Sequence, residues 1–168
     1  MRAVRGDHHA AGCDLVADLN RTRRAAGLSL GGNDGAQSAL ATCAWQTGYP
    51  LRLSYAGDVL EYDPLRYDAT RLLAREEVDT VLWISSFTPL PPPATRLPLI
   101  VLGTPGAAPA GTGAATPNVF LPVGTPGLDH PGQLIRSDGV VALPLPQLRG
   151  RGLPSVAELL RALTTRMG

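Results

Sequence analysis

Val78-Asp79-Thr80-Val81-Leu82-Trp83-Ile84 is nearly continuous in apolar character, and its reading decides the fold. A strand that alternates apolar and polar residues has one wet face, whereas a continuous apolar run asks for cover on both, the habit of parallel sheets. Leu99-Ile100-Val101-Leu102 has the same character. So does Val119-Phe120-Leu121-Pro122-Val123, although Pro122 has no amide to give a neighbour and pushes that run towards an edge or a strand end. The three runs are expected to lie side by side in one sheet.

Two proline- and glycine-rich stretches separate them: Thr88 to Arg96, with Pro89, Pro91, Pro92 and Pro93, and Thr104 to Pro117. Both read as loops. Upstream, Asp68 is placed to cap a short helix through Leu72 and Leu73 that ends at Arg75-Glu76-Glu77. Leu51 to Tyr55 alternates as a half-buried strand does. Ala36 to Trp45 suits a helix, with Asn33 or Asp34 as its cap, and Leu28-Ser29-Leu30 suits a short strand. Cys13 to Ala26 puts Leu15, Val16 and Leu19 on one helical face, with Gly27 as the stop.

Downstream, Ser155-Val156-Ala157-Glu158 has capping-box spacing, after which Val156, Leu159, Leu160 and Leu163 recur on one face. This last helix is expected to dock on the sheet. The order predicts an α/β fold: a mostly parallel sheet with flanking helices, in a single domain over residues 1–168. Ligands of such sheets lie beyond the carboxyl ends of the strands, here the loops starting near Ser85, Gly103 and Gly124.

Composition bounds the function. A chain of 168 residues, 44% hydrophobic and 17% charged, can form one domain that buries roughly two-thirds of its unfolded surface. A net charge of +1 gives no pull towards nucleic acid or an anionic membrane. No apolar run approaches the roughly 20 residues that span a bilayer. Cys13 and Cys43 are too few for a disulfide scaffold or an iron–sulfur site. With no hydrophobic signal core after Met1, a cytoplasmic location is expected.

Few residue patterns offer chemistry. Gly27-Leu28-Ser29-Leu30-Gly31 matches the G-x-S-x-G string of a nucleophile elbow, but that elbow needs a strand before the serine and a helix after it. A helical pattern precedes it here, and the downstream His130 directly follows Asp129, so the two cannot easily form an orienting pair. His8, His9 and Cys13 would supply three metal ligands only at a terminus prone to fray. Gly31-Gly32-Asn33-Asp34-Gly35 could offer amides to an anion, but Asp34 would repel phosphate, and a tight turn is the simpler reading. Glu61, Asp63, Glu76 and Glu77 read as a solvated face. No catalytic or metal-binding residue is nominated.

A set of unusual words goes further. Trp45-Gln46-Thr47-Gly48-Tyr49-Pro50 resembles the "WQTGYP" segment of the B-type subunit of formylmethanofuran dehydrogenase. In the same order, Asp18-Leu19-Asn20-Arg21-Thr22-Arg23 resembles that family's asparagine-and-arginine stretch, and Leu60-Glu61-Tyr62-Asp63-Pro64-Leu65-Arg66 echoes its "P-R-Y-N-P-G-E" segment. Val78-Asp79-Thr80-Val81-Leu82 is similar to its "VDAVL" strand. Finally, the run from Gly127-Leu128-Asp129 through Arg136-Ser137-Asp138 is similar to "G-I-E…G-T-x-Y-R-M-D". The order is kept over nearly the whole chain.

The resemblance implies a Rossmann-like domain of the molybdopterin-oxidoreductase type, forming the C-terminal part of a longer B-type subunit. In that family a tungsten or molybdenum bis-pterin centre reduces carbon dioxide to formate for methanofuran. The metal-ligating and iron–sulfur cysteines belong to a half with no counterpart here. If the pterin site is retained, the positions matched for contacts with molybdopterin guanine dinucleotide are Thr47, Gly48, Gly132, Arg136 and Asp138. The family's acidic residue after the "VDAVL" strand falls near Phe87, which cannot accept hydrogen bonds from a guanine edge. Relatives in aerobic methylotrophs have a formyltransferase/hydrolase complex whose B-type subunit is regarded as structural. The resemblance therefore leads to the expectation of a non-catalytic scaffold with no cofactor, partnered by the other subunits of such a complex, in tetrahydromethanopterin- and methanofuran-linked one-carbon metabolism. The alternative is the pterin-binding part of the dehydrogenase itself.

Overall fold

The three apolar runs pair as expected. In a computed structural model that describes residues 5–28, 35–107 and 117–167, they become β3 (Val81–Ser85), β4 (Leu99–Gly103) and β5 (Val119–Pro122). These form a parallel sheet in the order β3-β4-β5. Pro122 is the last residue of the edge strand β5, where its missing amide costs no ladder bond. Leu99, Val101 and Leu102 of the central strand, with Val123 just past β5, are the buried hydrophobic residues among those described.

Elsewhere the elements are, in chain order, α1 (Arg5–Leu19), α2 (Ala36–Thr47), β1 (Leu53–Ser54), β2 (Glu61–Tyr62), α3 (Ala69–Ala74), β6 (Gly132–Ile135), β7 (Ala142–Leu145) and α4 (Val156–Met167). β1 pairs with β2 and β6 with β7, both antiparallel. The chain is thus mixed α/β, and the parallel arrangement is confined to one three-stranded sheet. Met1–Gly31, which contains α1, and Gly32–Gly168, which contains the rest, are separate units. No helix among the described residues is long and apolar enough to cross a membrane.

Helices flank the parallel sheet in sequence, but the described parts of the connections between its strands hold none. Residues 86–98 cross from β3 to β4 without a helix, and the described part of 104–118 holds only a short 3-10 turn at Pro105–Ala107. In the first crossover Pro89, Pro91, Pro92 and Pro93 fix φ and remove amides that a helix would use. Cover on both faces is therefore achieved at β4 but not at β3, where Leu82 and Ile84 stay 47% and 45% exposed.

Local signals fared unevenly. Asp68 caps α3, its carboxylate accepting from the amides of Thr70 (3.1 Å) and Arg71 (3.3 Å). Ser155 and Glu158 form the reciprocal box of α4: Glu158 N–H donates to the serine Oγ (3.2 Å) and Ser155 N–H to the carboxylate (2.7 Å). The apolar stripe of α4 is covered only in part: Val156, Leu159 and Leu160 are half-buried and Leu163 is exposed.

The helix expected to run to Ala26 stops at Leu19. There the Asn20 side chain donates to the carbonyls of Val16 (2.8 Å) and Ala25 (2.9 Å) and accepts from Ala25 N–H (3.0 Å), folding the chain back on itself. The strand expected over Leu51 to Tyr55 shrinks to two residues because Leu51 and Arg52 adopt φ of 36° and 54°, which no strand accommodates. Ser29, Leu30, Asn33 and Asp34 lie outside the described residues, and Gly35 occupies the cap position of α2.

Candidate functional site

The matched words resolve into three local structures. The first closes α2. Gly48 takes the left-handed conformation (φ 81°) that lets its amide turn back to the carbonyl of Ala44 at 2.8 Å, a helix stop that residues with a Cβ adopt at a cost. The Thr47 hydroxyl donates to the carbonyl of Cys43 at 2.7 Å and accepts from Tyr49 N–H at 3.1 Å. Tyr49 stacks on Tyr62 of β2, ring centres 5.0 Å apart. Thr47 and Gly48 thus make the exit from α2 towards the β1–β2 pair, and Trp45 projects into solvent at 87% exposure.

The second is the turn between β6 and β7. Arg136 Nε donates to Asp138 Oδ2 at 2.8 Å, its Nη2 reaches the same oxygen, and Asp138 Oδ1 accepts from Val140 N–H at 3.1 Å. The guanidinium holds the Asp138 carboxyl below the usual carboxylate range, and the carboxylate raises Arg136 in turn. Each group is the other's partner. Gly132 opens β6, where a Cβ would stand 2.8 Å from that of Pro126, so the residue is needed for close approach.

Ser38 in the first turn of α2 accepts from Ile135 N–H at 2.8 Å, which ties the hairpin to that end of the helix. Thr47 lies nine residues further on, roughly 14 Å along the axis. The five matched positions therefore fall into two groups: Thr47 and Gly48 at the carboxyl end of α2, and Arg136 and Asp138, in the turn after the strand that Gly132 opens, by its amino end. Phe87, just past β3, lies against that amino end, its ring 3.0 Å from where a Cβ on Gly35 would stand.

The third structure was not foreseen as a site. The Asp129 side chain is fully buried and accepts from Arg151 Nε (2.7 Å) and Nη2 (2.6 Å) and from Thr125 N–H (2.9 Å). These bonds, those of Arg151 first, hold its carboxyl far below the ordinary value. Gln147 Nε2 donates to the Asp129 carbonyl (2.9 Å), Arg149 N–H to that of Leu128 (2.8 Å) and Gly124 N–H to that of Pro154 (2.9 Å). Residues 147–154 are thereby clipped onto the turn 124–131. The available signal was the match of Gly127-Leu128-Asp129 to the family's G-I-E, but nothing in the sequence names Arg151 as the partner.

The remaining candidates carry no chemistry. His130 turns its ring nitrogens to the carbonyls of Pro131 (2.7 Å) and Gly124 (3.3 Å), away from any triad with Asp129. Of the G-x-S-x-G string, Ser29, Leu30 and Gly31 lie outside the described residues, as do the side chains of His8 and His9. Among the described residues no three metal-ligating side chains cluster. Glu61 faces Arg66 at 3.5 Å and Glu77 faces Arg75 at 3.6 Å, both on the surface. An open groove of about 830 Å³ runs between α3, Trp83 and residues 93–97, and contains none of the matched positions.

No family model matches the chain. The B-type subunit of the formyltransferase/hydrolase complex Fhc of Methylorubrum extorquens is 32% identical over 120 residues, which are 71% of this chain and 33% of that protein. A chain in the crystal structure of the formyltransferase/hydrolase complex FhcABCD of the same organism, determined with methylofuran, superposes with a TM-score of 0.73 at 27% identity. That match covers 92% of this chain and 43% of the other. The chain thus spans about a third of the curated relative and under half of the solved one. Identity of 32% over 120 residues, carried on a shared fold, relates this chain to part of the B-type subunit of the formyltransferase/hydrolase complex.

Proposed function

We propose that the chain is a non-catalytic structural subunit, or part of one, in a formyltransferase/hydrolase complex of one-carbon metabolism. Formyl groups would pass between tetrahydromethanopterin and a methanofuran-type carrier on the other subunits, with this chain holding partners in place. Its parallel sheet is then what is kept of a Rossmann-like, molybdopterin-oxidoreductase-type domain, and residues 1–168 correspond to the C-terminal part of a longer B-type subunit.

One observation carries the non-catalytic reading: the polar groups matched to the pterin site are already used within the chain. Arg136 is neutralised by Asp138 and the Thr47 hydroxyl is bonded to its own helix. Gly48 stands at the carboxyl end of α2, whose outward carbonyls are the wrong sign for a pyrophosphate. The amino end, which has the right sign, is overlain by Phe87 at Gly35. These residues as arranged do not fit a pterin dinucleotide, and no reaction step is assigned to one.

Purification of the chain from its own cells under native conditions tests this. The expected result is co-elution with the other subunits of the complex, with neither stoichiometric tungsten or molybdenum by elemental analysis nor fluorescent pterin on denaturation. Elution alone would overturn the subunit reading. Stoichiometric metal and pterin would overturn the non-catalytic one in favour of the pterin-binding part of a formylmethanofuran dehydrogenase.

A further inference from the structure

The register of the parallel sheet sorts its side chains by face. Leu82 pairs with Ile100 and Ile100 with Val119; Ile84 pairs with Leu102 and Leu102 with Leu121. Partners in a ladder share a face, so these six residues form one surface, all aliphatic and without a charge. Leu102 is buried and Ile100 and Leu121 are half-buried, but Leu82, Ile84 and Val119 are 47%, 45% and 44% exposed. A parallel sheet ordinarily receives helices here from its own crossovers. The described parts of these crossovers supply none.

The solved relative superposes on 92% of this chain yet has more than half its own length left over, so the B-type architecture holds polypeptide that this chain does not span.

We propose that the face bearing Leu82, Ile84, Ile100 and Val119 is a docking surface for a helix with an aliphatic stripe, supplied by the part of the B-type architecture that this chain does not span. This inference rests on the subunit reading above and goes beyond it by naming the surface and its occupant. A helix is the matching element because a flat, uncharged, aliphatic sheet face offers no polar groups to a loop, whereas an apolar helical stripe covers it without leaving amides unpaired.

A photocrosslinking phenylalanine analogue in place of Ile84, introduced into the native assembly, tests it, with Leu65 (74% exposed, outside the sheet) as the control position. The crosslink from position 84 is expected to map to polypeptide aligning with the portion of the relatives' B-type chain that has no counterpart here. A crosslink to a second copy or to a different subunit would overturn the inference, as would none at all, while co-purification would leave the subunit reading standing. Ile84→Glu and Val119→Glu should each cut recovery of that polypeptide about tenfold or more, and Leu65→Glu should not. Equal recovery from all three, with unchanged circular dichroism, would refute it.

Discussion

Asp129 has exchanged water for two N–H donors of Arg151 and the amide of Thr125, and its acidity follows from that exchange. A carboxyl whose pKa is lowered on folding adds stability that is full above its ordinary value, near about 4, and is lost as pH falls through the lowered one. Asp129→Asn leaves the Arg151 guanidinium without its countercharge, so its melting temperature at neutral pH should fall by several degrees. The gap between wild type and variant should then narrow as pH is taken down to about 3, below the ordinary carboxylate value, where the stabilisation begins to be lost. A gap independent of pH in thermal unfolding would show that the charge is not what matters. The pair also marks a limit of sequence reading. Arg136 and Asp138 stand two residues apart inside one recognisable word, and the sequence names both. Asp129 and Arg151 meet only after the chain has folded, and no spacing announces them.

Elements whose ends are set by a side chain reaching its own backbone were legible, because that chemistry works at fixed short spacing. The caps at Asp68 and Ser155 are of this kind. Ser155→Ala should cost about 1 kcal/mol, seen in urea unfolding followed by helical circular dichroism. An unchanged midpoint would mean that Glu158 and the half-buried Leu159 and Leu160 hold α4 without the box. Other ends were read less well. No pattern foretold the left-handed pair Leu51 and Arg52 that shortens β1, and the Asn20 bonds after α1, though as short in range as the caps, follow no such fixed spacing. The three parallel strands were found because their apolar runs are long. Their helical cover was inferred from the same runs, and the described parts of the crossovers supply none, in 86–98 because Pro89, Pro91, Pro92 and Pro93 disfavour a helix.

At the scale of the molecule, the largest fully buried side chains among the described residues, Leu99, Leu102 and Val123, all lie in or just past the three-stranded sheet. The matched words were legible as kinship, since their order survives along the chain. What they do here was not: the Thr47 hydroxyl and the Arg136 guanidinium are each turned to a near neighbour in the chain. β4 is bonded on both sides, to β3 and β5, whereas each of those strands has one free edge within its sheet. Deuterium uptake should therefore be slowest by far along Leu99–Gly103 and much faster along Val81–Ser85 in the isolated chain. When the chain takes its place in an assembly, the contrast between these two neighbouring strands should collapse, and that loss of contrast would time the moment at which the sheet acquires its missing layer.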